Sequence, residues 1–284
     1  MKKALITRVV SNRYTVFIEG EFEVATAMGK LRLGQKPIVG DYVMVETLEN
    51  RLVIQEVLER KNQLIRPLIA NIDQALIVMS AMEPEFSYTL VDRLIFLISY
   101  ESIEPVIVIS KADLVSDEAL QEIVDEYEKS GYRVVKTGIT LPTSGLESIL
   151  KDKVSVLSGQ SGVGKSSLLN RIDANLELNT QEISKALGRG KHTTRHNQLY
   201  RIADGWIADT PGFSSLSFAN LDLIDFSQRI PDFVPYEGQC KYRDCLHIHE
   251  PGCTIKQKVE EKAISLKRYQ HYVDCVSLIR EGSR

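Results

Sequence analysis

The sequence has no apolar stretch that approaches the roughly 18 residues needed to span a bilayer, and it has only four cysteines in 284 residues. At the start, MKKALITRVV places basic residues before an apolar patch, but Arg8 interrupts that patch before it reaches the length of a signal-peptide core. We therefore expect a cytoplasmic protein without a membrane partner. In that compartment cysteines stay reduced and serve more often as metal ligands or core residues than in disulfides.

The sequence also lacks an excess of charge of either sign, since 35 Lys and Arg oppose 38 Asp and Glu for a formal net charge of -3. Taken alone, this balance argues against a nucleic-acid-binding protein. The charge is uneven along the chain, however: residues 1–62 carry +2, residues 63–239 carry -8 and residues 240–284 carry +3. Two mildly basic ends thus flank an acidic middle, in a chain long enough for about two domains at roughly 150 residues each.

The first 62 residues show short strand patterns separated by glycines. They predict a small β-barrel, either a generic SH3-like barrel or an OB-type barrel that presents side chains to nucleic acid. The predicted strands are 14–18, 22–25, 42–46 and 52–58. The side chains offered to nucleic acid in the OB-type reading are Arg13, Tyr14, Phe22, Lys30 and Arg32.

From residue 72 onward, buried apolar runs alternate with helical patterns, which predicts parallel strands covered on both faces in an α/β domain. The apolar runs are 75–79, 106–109, 133–135 and 154–157, and the helical patterns are 90–100 and 118–129. A hairpin strand is expected over 201–208. Residues 222–235 are expected to be loop-rich or weakly helical, and 256–279 to form a terminal amphipathic helix.

A phosphate-binding loop is the strongest motif in the sequence. Residues 159–166, GQSGVGKS, match GxxxxGK[ST] and lie between a strand pattern and a helix pattern, as the motif requires. The glycines let main-chain N–H groups turn toward phosphates, Lys165 reaches the β- and γ-phosphates, and Ser166 supplies a Mg²⁺ ligand.

Two further segments suit a nucleotide switch. The sequence Asp209-Thr-Pro-Gly212 follows a predicted strand, so Asp209 is a second Mg²⁺ anchor and the Gly212 N–H senses the γ-phosphate. The basic loop 188–195 contains His192, Thr193 and Thr194, which are either switch residues that close on Mg²⁺ and phosphate or ordinary solvated loop residues.

The base-reading element is predicted at Ser110-Lys-Ala-Asp113, which follows a buried strand and resembles the NKxD element of GTPases. An Asp there accepts from the guanine ring N–H and amino group, which favours GTP over ATP. Thr137-Gly138 falls where the Ser-Ala loop that supports guanine belongs. Both segments precede the phosphate-binding loop, whereas ordinary GTPases have the reverse order, so the domain is predicted to be circularly permuted.

Three cysteines and a histidine lie within fourteen residues near the end of the chain. Cys240, Cys245, His247 and Cys253 predict one structural Zn²⁺ with four protein ligands, with His249 as the competing imidazole. Cys275 is expected to be a core residue. The basic side chains Lys241, Arg243, Lys267 and Arg268 meet phosphate or simply form a solvated face.

Together these features resemble the bacterial RsgA family, the ribosome small subunit-dependent GTPases. The resemblance implies a multidomain α/β fold: an OB-type barrel (1–62), a circularly permuted P-loop GTPase domain with a mostly parallel sheet (63–218) and a C-terminal zinc-binding domain with a helix (219–284). It also implies GTP hydrolysis stimulated by the small ribosomal subunit during late maturation, with contacts to rRNA. A monomer that uses Mg²⁺ with GTP is expected.

The resemblance assigns site residues along the chain. It places a catalytic His directly before the switch Thr pair, so His192, Lys165 and Thr194 are the catalytic candidates, and Ser166, Thr194 and Asp209 the magnesium ligands. Ser110 departs from the usual Asn, and Phe213 stands where many GTPases have a water-orienting Gln. The residues expected to bind GTP are Ser110, Lys111, Ala112, Asp113, Gly159, Gln160, Ser161, Gly162, Val163, Gly164, Lys165, Ser166, Ser167, Asp209 and Gly212.

Two other functions remain open from the residues alone. A P-loop does not fix the phosphate acceptor, so an ATP-dependent small-molecule kinase is one alternative, although nothing in the sequence resembles an acceptor-binding lid. The other is an RNA-binding assembly factor whose nucleotide site is only a sensor.

Overall fold

We analysed a computed structural model that describes residues 1–29, 31, 34–65, 68–173, 198–208, 217–219 and 221–282. The chain divides into two compact units. The first comprises Met1–Gln74, Thr143–Leu157 and Lys165–Ser215, and the second Ala75–Pro142, Ser158–Gly164 and Leu216–Arg284. Among the helices of these described ranges, none is long and apolar enough to cross a membrane.

The first unit begins with a closed five-stranded barrel. Its strands are β1 (Lys2–Val10), β2 (Arg13–Ile18), β3 (Glu21–Ala27), β4 (Tyr42–Leu48) and β5 (Arg51–Val57). They follow the order β1-β2-β3-β5-β4, in which β1 and β4 close the barrel as antiparallel neighbours and β3 and β5 are parallel. A closed five-stranded barrel of this kind is OB-like, which decides between the two barrel types left open by the sequence.

The barrel core explains why one expected nucleic-acid contact is wrong. Side chains alternate along β2, so Tyr14, Val16 and Ile18 point inward, and Tyr14 is only 1% exposed. Tyr14 therefore belongs to the core and not to an RNA-facing surface. Arg13 and Phe22 are exposed as expected, whereas Lys30 and Arg32 lie outside the described residues.

The remaining elements follow in chain order. The strands are β6 (Gln63–Ile65), β7 (Leu68–Ala70), β8 (Gln74–Ser80), β9 (Glu104–Ser110), β10 (Arg133–Lys136), β11 (Val154–Ser158), β12 (Leu199–Ile202) and β13 (Gly205–Ala208). The helices are α1 (Tyr88–Tyr100), α2 (Asp117–Glu128), α3 (Ser144–Leu150), α4 (Lys165–Ile172), α5 (Leu223–Gln228), α6 (Thr254–Glu260) and α7 (Leu266–Gly282). Two short 3₁₀ turns lie at Ala112–Leu114 and Val234–Tyr236.

Both units contain parallel strand pairs, as the buried apolar runs predict. In the first unit, β11 and β13 are parallel, and β12 joins β13 as an antiparallel hairpin partner. In the second unit, β10 and β9 are parallel, and the residues of β8 that belong to this unit, 75–80, are all buried. Serines begin two helices of this unit: Ser87 accepts from the Leu90 N–H at α1, and Ser116 from the Ala119 N–H at α2.

The C-terminal region differs from the single amphipathic helix expected over 256–279. It forms two helices, α6 and α7, with a break between them. Lys262 adopts a left-handed conformation (φ +62°), which ends α6, and the Ser265 hydroxyl accepts from the Arg268 N–H at the start of α7. Cys275 is fully buried in α7, which confirms it as a core residue.

Candidate nucleotide and metal sites

The predicted phosphate-binding loop leaves β11 through a sharp turn and enters α4. Gly159, Gly162 and Gly164 all have positive φ angles, of 131°, 83° and 92°. A Cβ atom on Gly159 would overlap the main-chain carbonyl oxygen of Val78 in β8, so only glycine fits there. The loop is thus held close to the backbone of a buried strand, while the side chain of Val163 is buried.

The helix that follows the loop carries the three polar side chains expected to meet phosphate and metal. Lys165 and Ser166 are half-buried at the start of α4, and Ser167 is exposed. Burial lowers the pKa of the Lys165 ammonium group from its ordinary value. An ammonium group that is partly removed from water at a helix N-terminus is well placed to gain an anionic partner.

The predicted base-reading segment contacts the phosphate-binding loop directly. Ser110, at the end of β9, is buried, and its hydroxyl donates to the main-chain carbonyl of Val163 at 2.5 Å. The carbonyl of Met79 lies 3.3 Å from the same hydroxyl. Although the pattern usually has asparagine at this position, Ser110 therefore connects the base-reading segment to the phosphate-binding loop directly by a hydrogen bond.

Asp113 is held by the loop that follows β10. Its carboxylate accepts from the Thr140 N–H at 3.3 Å, and a Cβ atom on Gly138 would overlap that carboxylate. Slight desolvation raises the pKa of Asp113, but the main-chain N–H groups of Thr140, Asp113 itself and Ile139 outweigh it, so the pKa lies below its ordinary value. The sequence singled out Thr137 and Gly138 here but missed Ile139 and Thr140, although both come directly after them.

Lys111 and Ala112 complete this loop. Lys111 adopts a left-handed conformation (φ +53°), and its ammonium group donates to the carbonyl of Glu83. The Ala112 N–H donates to the Thr137 carbonyl at 3.0 Å, which ties the Ser110–Asp113 segment to Thr137-Gly138. The structure thus brings together the two segments that the sequence assigned to guanine recognition.

Five expected switch residues lie outside the described residues: His192, Thr193, Thr194, Asp209 and Gly212. β11 runs into the phosphate-binding loop, β13 ends at Ala208, and the two strands pair in parallel with Val156 opposite Ala208. Asp209 is the next residue in the chain after Ala208.

The four predicted metal ligands converge. The sulfur atoms of Cys240, Cys245 and Cys253 and a ring nitrogen of His247 all lie within 4.8 Å of one another. The Nδ1 atom of His247 is 3.6 Å from the Cys240 sulfur and 3.4 Å from the Cys253 sulfur. Two sulfurs bound to one tetrahedral Zn²⁺ are about 3.8 Å apart, given Zn–S bonds of about 2.3 Å, so this donor set fits a four-coordinate metal ion.

The surroundings of the cluster select His247 over His249. His249 is exposed, whereas His247 is buried, and burial lowers its pKa to about 4 against a small opposing effect of Glu250. The imidazole is therefore neutral at neutral pH, the form that binds metals. Burial also raises the pKa of the Cys245 thiol to about 12, and a bound metal cation would favour the thiolate there.

Hydrogen bonds shape the loop that presents these ligands. The Glu250 carboxylate accepts from the N–H groups of Leu246, Ile248 and His249, which folds residues 246–250 around it. From helix α7, the Tyr269 hydroxyl donates to the His247 carbonyl at 2.7 Å and the Tyr272 hydroxyl to the Leu246 carbonyl at 2.8 Å. These hydrogen bonds hold the main chain at His247 and at the residue before it, and so fix the position of this ligand.

Arg268 corrects one of the sequence-based alternatives. The sequence groups it with residues that meet phosphate or form a solvated face, yet it is only 1% exposed. Its guanidinium group binds Asp232 at 2.6 Å and Asp92 at 3.3 Å, and also reaches the Ser130 hydroxyl at 2.8 Å. Arg268 thus joins helix α7 to α1 and to the segment after α2, and cannot contact phosphate from solvent.

Comparisons with known proteins agree with this arrangement of motifs. The sequence model of the RsgA GTPase family matches residues 57–219. This chain belongs to the RsgA GTPase family. One relative, the small ribosomal subunit biogenesis GTPase RsgA of Geobacillus kaustophilus, is 44% identical over 99% of this chain and 98% of its own length. The protein of the same name from Enterococcus faecalis is 41% identical over 95% and 93%.

Two solved structures share the fold of this RsgA family member. YloQ, described as a circularly permuted GTPase, superimposes with a TM-score of 0.84 at 35% identity and covers 100% of this chain and 96% of its own. YjeQ from Thermotoga maritima gives 0.83 at 33% identity, with coverage of 100% and 99%. These matches confirm the permuted GTPase fold, and membership of a GTPase family makes the protein a hydrolase.

Proposed function

We propose that this chain hydrolyses GTP to GDP and phosphate, and that the small ribosomal subunit stimulates the reaction during a late step of that subunit's maturation. Its relatives are named small ribosomal subunit biogenesis GTPases. The observation that carries the nucleotide part is the hydrogen bond from the Ser110 hydroxyl to the Val163 carbonyl. It holds the base-reading loop against the phosphate-binding loop, as one bound nucleotide requires.

Guanine selectivity is assigned to Asp113. Its carboxylate accepts from the ring N–H and the exocyclic amino group of guanine, and adenine offers neither donor in that position, so it would not make these two hydrogen bonds. Thr140 and Ile139 donate to the same carboxylate and hold it ionised. The N–H groups of Thr140, Asp113 and Ile139 and the Thr140 hydroxyl already contact this carboxylate, which has about four acceptor positions, so guanine would take the place of some of these donors.

Phosphate binding is assigned to residues 159–167. Main-chain N–H groups from Gly159 to Gly164 surround the phosphates, including those of Gln160, Ser161 and Val163, and Lys165 pairs with the β- and γ-phosphates. Ser166, half-buried in the first turn of α4, is a suitable hydroxyl ligand for Mg²⁺, with Asp209 and Thr194 as the other proposed ligands. When bound, Mg²⁺ would neutralise charge on the phosphate oxygens.

Hydrolysis proceeds by in-line attack of water on the γ-phosphorus. A bond forms from the water oxygen to phosphorus as the bond from phosphorus to the β–γ bridging oxygen breaks, and the electron pair leaves with GDP. Phe213 cannot orient the water, so intrinsic turnover is slow, and we assign this task to His192. If His192→Ala hydrolyses GTP at the wild-type rate in the presence of small subunits, this assignment is wrong.

The proposal also covers the ends of the chain. We propose three domains, 1–62, 63–218 and 219–284, in a monomer that acts in the cytoplasm, where ribosomes are assembled. The OB-like barrel and the C-terminal region meet rRNA, and the Cys₃His cluster holds one structural zinc ion. A site with four protein ligands leaves no open position for catalysis, which supports a structural role.

Single-turnover GTP hydrolysis with and without purified small ribosomal subunits tests this function. We expect slow release of phosphate alone and a large acceleration with subunits, both lost in Lys165→Ala. Nucleotide-dependent subunit binding without hydrolysis would instead support the sensor function. In a competition assay, unlabelled ATP and unlabelled GTP each compete with labelled GTP for the protein. If ATP competes as strongly as GTP, this result would contradict the role of Asp113 and support a kinase.

A further inference from the structure

Three aromatic rings meet at the outer face of β2 and β3, beside the β12–β13 hairpin of the same unit. Phe17 and Phe22 are cross-strand neighbours with ring centroids 5.2 Å apart. Trp206 packs edge-on against both, with centroid distances of 5.0 Å to Phe17 and 6.1 Å to Phe22. Phe22 is nevertheless 56% exposed, so an aromatic face held by two other rings is open to solvent.

Arg201 completes this surface, which we call the Phe22 platform (Phe17, Phe22, Arg201 and Trp206). Its guanidinium carbon lies 5.0 Å from the Phe17 ring centroid, and it is the cross-strand partner of Trp206. Arg201 also makes an exposed ion pair with Asp204 at 3.4 Å. Exposed ion pairs of this kind contribute little to stability, so Arg201 can exchange Asp204 for a phosphate at low cost.

The barrel face beside the platform carries two further arginines. By strand alternation, the outward residues of β2 and β3 include no carboxylate, while Glu21 and Glu23 point to the opposite side of β3. Arg8 is exposed on β1 opposite Thr15, and Arg13 is exposed on β2. The outward residues in question are Arg13, Thr15, Phe17, Phe22, Val24 and Thr26.

We propose that the Phe22 platform stacks an unpaired base of single-stranded RNA, with Arg201, Arg8 and Arg13 meeting the flanking phosphates. A rigid exposed ring among arginines has the chemistry of single-strand recognition, in which bases stack on aromatic side chains and a basic groove follows the backbone. The inference rests on the RNA-binding part of the proposed function and adds the place of contact. It replaces Tyr14, which is buried, by Phe22.

The platform links the barrel to the strand that leads to the predicted switch. Trp206 lies in β13, three residues before Asp209, and its ring packs against Phe22, so a base stacked on Phe22 would lie on a ring that contacts this strand. Trp206 is also the only tryptophan in the chain. Its fluorescence therefore reports on this surface without interference from other tryptophans of the protein.

The test is a titration of the full-length protein with single-stranded oligouridylate, followed by Trp206 emission, with an RNA duplex of equal length as the comparison. We expect saturable quenching by the single strand and weaker binding of the duplex. Phe22→Ala should weaken oligouridylate binding about 5- to 150-fold, the range given by loss of one aromatic stack. Because Trp206 can change brightness in this variant, its affinity is also measured with a fluorescently labelled oligonucleotide.

Matched variants separate aromatic stacking from a contact that needs only an apolar side chain. Phe22→Tyr should bind as the wild type does, whereas Phe22→Leu, which is apolar but has no ring, should resemble Phe22→Ala. Met82→Ala truncates a side chain that is 45% exposed and lies outside both proposed RNA-binding regions, so it should have no effect. Unchanged thermal unfolding of the variants confirms that exposed Phe22 is not needed for folding.

The proposal is wrong if saturating oligouridylate leaves Trp206 emission unchanged. It is also wrong if Phe22→Ala binds oligouridylate as tightly as the wild type does. Small-subunit binding that survives in Phe22→Leu but not in Phe22→Ala indicates an apolar protein contact and also overturns the proposal. A different result would contradict the proposed function. In that case small subunits would not stimulate GTP hydrolysis by the wild-type protein, whether or not Phe22 variants bind RNA more weakly.

Discussion

The hydroxyl of Ser110 donates to the main-chain carbonyl of Val163 at 2.5 Å and joins two loops that are 53 residues apart in the chain. Ser110 ends β9, and Val163 lies inside the phosphate-binding loop. Both side chains are buried, so the bond is shielded from water. The two loops that we propose bind guanine and phosphate are therefore joined directly by this serine.

Ser110→Ala should weaken GDP binding about 5- to 10-fold, because loss of one buried hydrogen bond costs about 1 kcal/mol or somewhat more. A fluorescent GDP analogue measures the affinity directly. Ser148→Ala is the control, since that exposed hydroxyl donates only within helix α3, to the Gly145 carbonyl. Equal affinities for wild type and Ser110→Ala would show that the bond does not position the loops.

Gly159→Ala should abolish measurable nucleotide binding and destabilise the fold. The new Cβ atom would overlap the Val78 carbonyl oxygen, and backbone cannot move aside as a flexible side chain can. Gly20→Ala is the matched control, because Gly20 also has a positive φ (94°) but no atom near the added methyl group. Calorimetric GDP titration and thermal unfolding are measured for both variants. Their comparison separates the effect of the overlap with Val78 from the cost of placing alanine at a positive φ. Nucleotide binding by Gly159→Ala at the wild-type affinity would show that the overlap does not occur.

Arg268→Ala should lower the free energy of unfolding by about 3–5 kcal/mol, because it leaves Asp92 and Asp232 buried without their cation. Urea denaturation measures the loss. Arg280→Ala, an exposed arginine on the same helix, should change the free energy of unfolding by less than about 0.5 kcal/mol. Similar values for the two variants would show that the buried network contributes nothing.

Cys245→Ser should lose the bound metal ion, whereas Cys275→Ala should retain it. Both cysteines are buried, but only Cys245 belongs to the cluster of ligands. Metal content of the purified proteins, measured by atomic emission, should be one zinc per chain for wild type and Cys275→Ala. Chelation should also lower the melting temperature of the wild type but not of Cys245→Ser; zinc retained by Cys245→Ser would exclude this ligand.

Local patterns predicted the elements whose signals are contiguous in the chain. The strand, loop and helix around Gly159–Ser166 were found because glycine spacing and hydrophobic periodicity are both local. The strand β1 was missed because Arg8 interrupts its apolar run, and three-residue strands such as β6 are too short to show a period. The burial of Tyr14 could have been predicted from the sequence, because alternation along β2 groups Tyr14 with Val16 and Ile18 on one face.

By itself, the sequence determined the order of the nucleotide motifs, and hence the circular permutation, together with the composition of the Cys₃His ligand set. Those properties depend on residue identity and spacing alone. Only the tertiary structure decided that His247 and not His249 joins the cluster, that Ser110 reaches Val163, and that Arg268 is buried. Each of these findings depends on side chains that packing brings together across long stretches of chain. A local sequence pattern does not predict which of these side chains will be in contact.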